Sequence, residues 1–213
     1  NFKKNTNEMI IEFNSAESCT KQIQIIQKYQ EIQKEIQTYA SIASLNFSRD
    51  TKDKKNINEN KFYDDISPEI AAIDNQFTKA ISNSKFKNEL LSEFGEHFFN
   101  LISMELKSFD PKLINLMKKE NKLTNEYRSL LAGAEIEYNG EILNLAGLSP
   151  FMQDVDRNIR KEAYKLMDDF FTKNEDQLDI IFDKLVKVRH EKGQTLNFKN
   201  FIPLGYLNMN RSD

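Results

Sequence analysis

The segment "IIQKYQEIQKEIQTYASIA", residues 25–43, carries the pattern that decides the fold class. Its apolar residues recur at alternating steps of four and three, a period that keeps one seam of a helix against a partner helix. The members of this seam are Ile25, Tyr29, Ile32, Ile36, Tyr39 and Ala43. A helix over residues 16–47 would be about 48 Å long at 1.5 Å per residue, so the sequence predicts an elongated helical hairpin or bundle.

The same helical rhythm continues through most of the chain. Only six glycines and four prolines occur among 213 residues, which favours long helices over a fold rich in turns. Three pairs of a capping residue and proline are typical of helix starts, because proline lacks the amide that a first turn leaves unpaired. These pairs are Ser67 with Pro68, Asp110 with Pro111, and Ser149 with Pro150. We predict a helix start at each pair, a break at Gly95, and a loop or an exposed helix connection over residues 48–61.

The segment "AEIEYNGEILNLAGL", residues 134–148, breaks the helical rhythm. Asn139 and Gly140 tolerate the positive φ angles of a tight type I′ turn, and short apolar runs flank them on both sides. We therefore predict a short β-hairpin near residues 134–145. The predicted fold is mainly α, an elongated multi-helix array with this one hairpin inserted.

Composition argues against two classes of partner. The chain carries 30 basic and 33 acidic residues, a formal charge of −3, and has no long cationic stripe that could neutralise nucleic-acid phosphates. No run of about eighteen apolar residues is present, so no membrane-spanning helix is predicted. The one cysteine, Cys19, cannot form an internal disulfide, which indicates a reducing compartment and hence the cytoplasm. We interpret Cys19 as a partly buried helix residue rather than a reactive thiol.

Residues capable of catalysis or metal binding are few and scattered. The two histidines, His97 and His190, lie in different predicted helices, and neither has a second metal ligand three or four residues away. The sequence "HEKGQ" begins at His190 like a zinc-peptidase motif, but Gln194 stands where the second histidine is required. A solvated helix end is the better interpretation of this segment.

The remaining candidates also have simpler interpretations. Adjacent carboxylates on a helix point about 100° apart and favour solvated faces over an acid–base pair; the pairs are Asp64 with Asp65 and Asp168 with Asp169. Phe98 and Phe99 are in phase with a buried helical stripe, which favours a core role. No glycine-rich loop or nucleophile elbow is present. From its residues alone, the chain is interpreted as a scaffold, and its chemistry stays unassigned.

The order of several segments resembles the amino-terminal half of oligoendopeptidase F, a bacterial branch of the thimet oligopeptidase-like zinc metallopeptidases. The resemblance runs from about Ile42 to Asp213. Its most specific stretches are "ENKLTNEYRSLLAGAEIEYNGEILNLAGLSPFMQ", "DRNIRKEAY" and "LGYLNMNRSD".

This resemblance implies a cytoplasmic peptidase that cleaves short peptides in an enclosed channel between two mainly helical lobes. In that family, zinc is held by two histidines of a His-Glu-x-x-His helix and by a later glutamate. Family precedent places these ligands downstream of Asp213, so no catalytic or metal residue is carried over to this chain, and no cofactor is expected on it alone. The implied partners are short peptide substrates and a missing carboxy-terminal catalytic domain.

The expected organisation has three parts: a long helical hairpin or bundle segment over residues 1–60, a helical amino-terminal lobe with the β-hairpin over 61–197, and the start of the connection to the catalytic domain over 198–213. On this view the chain is an amino-terminal fragment that is inactive alone. The alternative is a non-enzymatic helical interaction or scaffold protein, complete as it stands, because the heptad-like seam and the lack of a site would suit one.

Overall fold

The computed structural model describes residues 2–211; Asn1, Ser212 and Asp213, and with them the last two residues of the predicted connection over 198–213, lie outside the described residues. The helices are α1 Phe2–Ser15, α2 Cys19–Arg49, α3 Lys54–Ser82, α4 Lys87–Ser108, α5 Ile114–Ala132, α6 Leu145–Met152, α7 Arg157–Lys173, α8 Glu175–Thr195 and α9 Phe201–Asn208. The two strands are β1 Ile136–Tyr138 and β2 Glu141–Leu143. This architecture confirms the prediction of a mainly α array with one β-hairpin.

A central hydrophobic cluster joins the first four helices. It is built from buried residues of α1, α2, α3 and α4: Met9, Phe13, Ile25, Ile26, Tyr29, Phe77, Ile81, Leu90 and Ile102. Phe98, Phe99 and Cys19 are partly buried against it, which confirms the core role of both phenylalanines and the packed position of the cysteine.

The predicted seam of α2 is correct only in part. Ile25 and Tyr29 are buried, but Tyr39 is 56% exposed. On α2, contact with the central cluster extends no further than Ile32. In the second half of the helix the seam residue Ala43 is buried, and so is Phe47, which the predicted seam does not include.

The beginning of α3 differs from the prediction. Helix α3 begins at Lys54, where the Asp53 carboxylate accepts a hydrogen bond from the amide of Asn56 at 2.8 Å. The predicted helix start at Ser67 with Pro68 is therefore wrong. For residues 48–61 the loop alternative is wrong and the exposed helix connection is correct in the main, because only residues 50–53 lie outside a helix and most of the flanking helical residues are exposed. Pro68 is buried inside the helix, where it removes one backbone hydrogen bond to the residue four positions earlier.

That missing bond is replaced from another helix. The residue four positions before Pro68 is Asp64, and its backbone carbonyl accepts a hydrogen bond from Asn121 Nδ2 of α5 at 2.9 Å. The Ser67 hydroxyl lies 3.3 Å from the same carbonyl. A buried carbonyl without a partner would cost free energy comparable to a lost hydrogen bond, so this contact lets α3 continue through the proline.

The other local predictions have mixed outcomes. Asp110 accepts from the amide of Lys112 at 2.8 Å and starts a 3-10 turn that leads into α5, as predicted. Gly95 has φ 80° inside α4, which confirms the predicted break. The start at Ser149 with Pro150 is wrong, because Asn144 already caps α6 by accepting from the amide of Gly147.

The hairpin and the two helices after it form a second cluster. Strands β1 and β2 are antiparallel, with Ile136 opposite Leu143, and Asn139 and Gly140 both have positive φ, as the predicted turn requires. The buried members of the cluster are Ile136, Leu148 and Ala163. Through this cluster, α6 and α7 pack against each other and against the hairpin.

Helices α8 and α9 complete the described part of the chain. Helix α8 buries Ile181 and Val188 and packs on α5, while α9 packs on α8 and α4 through Leu204, which is fully buried. Ile202, Tyr206 and Met209 are exposed, so the apolar segment over residues 198–209 is only partly buried. Among residues 2–211, no helix is both long and apolar enough to cross a membrane. The three-part division of the chain stays a prediction.

Candidate functional site

The histidines and most of the paired carboxylates lie on solvated surfaces. His97 on α4 and His190 on α8 are exposed, and so are Asp168 and Asp169 on α7, as predicted. Within residues 2–211, no three histidine, cysteine, aspartate or glutamate side chains are grouped so that they could hold a metal ion. The chemistry-bearing residues considered in the sequence are therefore not brought together.

The "HEKGQ" segment is a structural junction. His190 is exposed, but Lys192 and Gly193 are buried, so the prediction of a solvated helix end is wrong for these two residues. A Cβ atom on Gly193 would lie 2.6 Å from the carbonyl oxygen of Asn200. The close approach of α8 to the start of α9 explains why glycine stands at this position.

We expect Gly193→Ala to lower the free energy of unfolding by about 1–3 kcal/mol, because backbone atoms of Asn200 would have to move. Urea unfolding followed by circular dichroism measures the change. Gly147→Ala in α6 is the matched control, since its Cβ would find only ordinary contacts, at 3.4 Å and beyond. Equal stability of the two variants would contradict a tight junction at Gly193.

A cleft of about 980 Å³ lies between α3 and α5 beside the end of α2. Asp64 lies in this cleft and is partly buried, so its predicted place on a solvated face is wrong. Its Oδ2 atom accepts hydrogen bonds from Asn60 Nδ2 at 2.6 Å and from Asn125 Nδ2. Together with the bond from Asn121 to its backbone carbonyl, Asp64 holds three asparagine side chains at the wall of the cleft.

The charges around this cleft are mixed. Burial raises the pKa of Asp64, although the hydrogen bond from Asn125 and the charge of Arg128 act in the opposite direction. Lys118 forms an ion pair with Glu69 at 2.8 Å. Three further lysines line the cleft without an ion pair to any residue in 2–211: Lys61, Lys119 and Lys122. The cleft thus offers fixed amide groups beside lysine side chains, and the carboxylates of Asp65 and Glu126 also line it.

Sequence reasoning missed this site for a structural reason. Asn60 and Asp64 share a face of α3, and Asn121 and Asn125 share a face of α5, each pair four residues apart. The spacing was visible in the sequence. However, residues 48–61 were predicted as a loop or an exposed helix connection and the next helix was predicted to start at Ser67, so Asn60 and Asp64 were not placed together on one packed helix.

A second set of perturbed groups belongs to the interior. The Tyr29 hydroxyl donates to Asp74 Oδ1, and Thr78 donates to Glu105 Oε1 at 2.9 Å. Burial raises the pKa of Tyr29 and that of Asp74. The first bond connects α2 with α3 and the second connects α3 with α4. Because the Tyr29 ring lies in the central cluster, we interpret these bonds as structural contacts.

Comparison with known proteins gives a consistent family. The profile of the Peptidase M3 N-terminal domain matches residues 1–109. No curated protein is significantly similar to the chain. Three solved structures are similar over nearly the whole chain. An oligoendopeptidase F solved at 3.1 Å has 33% sequence identity and a TM-score of 0.93 over 98% of this chain. An oligoendopeptidase F from Bacillus anthracis strain Ames and PZ peptidase A with an inhibitor each have 34% identity and a TM-score of 0.94 over 99% of this chain.

The chain spans much less than the full length of these proteins. It covers 37% of the chain of the first oligoendopeptidase F, 39% of that from Bacillus anthracis, and 38% of PZ peptidase A. The similarity therefore describes one part of each of these proteins.

Proposed function

Because the chain belongs to the peptidase M3 family, we propose that it forms the amino-terminal part of a zinc-dependent oligoendopeptidase that cleaves short peptides in an enclosed channel. The observation that carries this proposal is the match of nearly the whole chain to two oligoendopeptidase F structures and to PZ peptidase A at 33–34% identity. We further propose a cytoplasmic location, which the single unpaired cysteine supports.

The metal donors of such an enzyme would have to come from outside the described residues. Residues 2–211 contain no suitable group of donors. A bound zinc ion would lower the pKa of its water and polarise the scissile carbonyl. No step of that chemistry is assigned to this chain, and we expect the chain to be inactive alone.

The proposed contribution of this chain is steric. The long helices α2 and α3 pack side by side, and α5 packs on α3 and α8, so they form a continuous helical wall. A wall of this kind would admit extended peptides and exclude folded proteins, because a folded domain cannot enter a narrow channel. Short peptides and a carboxy-terminal catalytic domain are thus the proposed partners.

Substrate length tests the steric proposal. We expect the parent enzyme to cleave a short quenched-fluorescence peptide, but not the same sequence placed in a surface loop of a folded carrier protein. The carrier unfolded in mild denaturant controls for access to the bond. Equal cleavage of the free peptide and the folded carrier would contradict confinement.

The coding sequence tests whether the metal ligands lie in a separate part of the parent protein. We expect a His-Glu-x-x-His motif downstream of Asp213, because the similar structures are more than twice as long as this chain. A stop codon directly after Asp213 would favour the non-enzymatic interaction protein instead.

A further inference from the structure

The cleft between α3 and α5 presents hydrogen-bond acceptors in a fixed orientation. We name Asn60, Asn121 and Asn125 the amide cluster. The carboxylate and carbonyl oxygens of Asp64 can only accept hydrogen bonds, so each amide must turn its Nδ2 group toward Asp64 and its Oδ1 atom away. Within residues 2–211, no donor bonds to these three Oδ1 atoms. The amide cluster therefore presents three acceptors that lack a donor.

The spacing of these acceptors suits an extended chain. Asn121 and Asn125 are one turn apart on α5, which corresponds to about 6 Å along the helix axis. In an extended peptide, backbone N–H groups on the same side recur every two residues, or about 6.6–6.8 Å. Two successive N–H groups of one peptide can thus reach both side chains with small adjustments.

Two further parts of the cleft add chemical selectivity. We name the three lysines without an internal ion pair, Lys61, Lys119 and Lys122, the lysine rim. Asp65 and Glu126 line the same cleft, but neither forms an ion pair with these lysines, so the three ammonium groups stay available to a ligand. Phe47, Ile57 and Leu130 form the apolar patch of the same cleft. Ligand pockets typically combine an apolar lining with a few polar groups that fix orientation, within about 300–1,000 Å³. The cleft falls within this range.

We propose that this cleft is a binding site for a short peptide in extended form. Backbone N–H groups of the peptide donate to the amide cluster, its terminal carboxylate pairs with the lysine rim, and an apolar side chain covers the apolar patch. Other ligands with hydrogen-bond donors and an anionic group would offer the same chemistry, and the choice of a peptide among them rests on the proposed function. The site lies on a part of the protein that carries no metal donors, so it holds and orients substrate without acting on the scissile bond.

The test uses this 213-residue chain and a defined probe, the tetrapeptide Ala-Leu-Leu-Ala with a free carboxylate. Isothermal titration is expected to show saturable binding to a single site. Two modified peptides each remove one kind of interaction: the C-terminal amide removes the carboxylate, and N-methylation of the second and fourth residues removes the two N–H donors that lie on the same side of the extended peptide. We expect each modification to weaken binding by about tenfold or more, the size of one lost charge-assisted or buried hydrogen bond.

Variants of the chain assign the binding to this cleft. Lys122 is exposed and forms no ion pair with any residue in 2–211. We expect Lys122→Ala to lower the affinity for the free-acid peptide several-fold and to leave the affinity for the amidated peptide unchanged. Asn125→Ala should lower the affinity for both peptides. Lys187→Ala, on the exposed surface of α8, is the matched control and should leave both affinities unchanged. Circular dichroism verifies that each variant is folded. Because Lys122 is on the surface, its variant remains informative even if Asn125→Ala does not fold.

Different results would contradict the peptide-binding inference and the proposed function. Absence of saturable binding, or binding that is indifferent to both amidation and Lys122→Ala, would overturn the inference even if the parent enzyme cleaves peptides. Peptide binding with the expected pattern would support the inference even if the parent enzyme proved inactive.

Discussion

Replacing Glu120 by alanine is expected to lower the free energy of unfolding by about 3–5 kcal/mol, the usual cost of removing one partner from a buried ion pair. Glu120 on α5 accepts hydrogen bonds from Arg189 Nε and Lys192 Nζ on α8, each at 2.7 Å. The Lys192 side chain is only 10% exposed, so the variant leaves its ammonium group buried without a counter-charge. This triad connects α5 to the helix on which α9 packs.

The same triad predicts a dependence on pH. Burial acts to raise the pKa of Glu120, but the hydrogen bonds from Lys192 and Arg189 outweigh it, and the net pKa is lowered. Glu120 therefore stabilises the fold fully above its unfolded pKa of about 4.3, and this contribution is lost as the pH falls through the lower folded pKa. Urea unfolding of wild type and Glu120→Ala should differ near neutral pH and converge in acid.

A matched control is available on an exposed ion pair. Glu69 pairs with Lys118 at 2.8 Å, but its side chain is 62% exposed, so Glu69→Ala should change stability little. If Glu120→Ala were no more destabilising than Glu69→Ala, the triad would not be the structural link described here.

Phe77→Ala is the second change with a large expected effect. Phe77 on α3 is 1% exposed, and its ring lies 5.6 Å from that of Phe13 on α1 and 4.2 Å from that of Tyr29 on α2. Truncation removes contacts to two other helices at once and leaves a cavity, which typically costs about 3–5 kcal/mol. Chemical denaturation provides the measurement.

Phe62→Ala on the same helix is the matched control, because it distinguishes the effect of lost burial from a change in helix propensity. Phe62 is 56% exposed, so Phe62→Ala makes the same chemical change without a cavity and should alter stability by no more than about 0.5 kcal/mol. Comparable losses for the two variants would mean that the central cluster does not depend on Phe77.

Local chemistry was sufficient for several features of the fold. Asn139 with Gly140, the break at Gly95 and the cap at Asp110 each depend on residues within one turn of each other, and the structure has all three. The continuation of α3 through Pro68 depends instead on Asn121, which is 57 residues from Asp64 in sequence and satisfies the carbonyl that Pro68 leaves free. No local rule contains that contact, so the helix start at Ser67 was predicted wrongly.

The candidate site was missed for a related reason. Asp64 looked like one of two adjacent surface carboxylates, and only the packing of α5 against α3 places Asn125 beside it. Gly193 is a similar case, because its tight contact with Asn200 depends on how α9 folds back onto α8. Resemblance to a family predicted the class of protein correctly but could not reveal either contact, since both depend on three-dimensional packing.

The most direct test of the central proposal is a side-by-side peptidase assay of the parent enzyme and this chain. We predict that the parent enzyme hydrolyses a short quenched-fluorescence peptide, that a chelator abolishes the activity, that added zinc restores it, and that this chain is inactive under the same conditions. Chelator-sensitive hydrolysis by this chain alone, or a parent enzyme that retains full activity in excess chelator, would contradict the account.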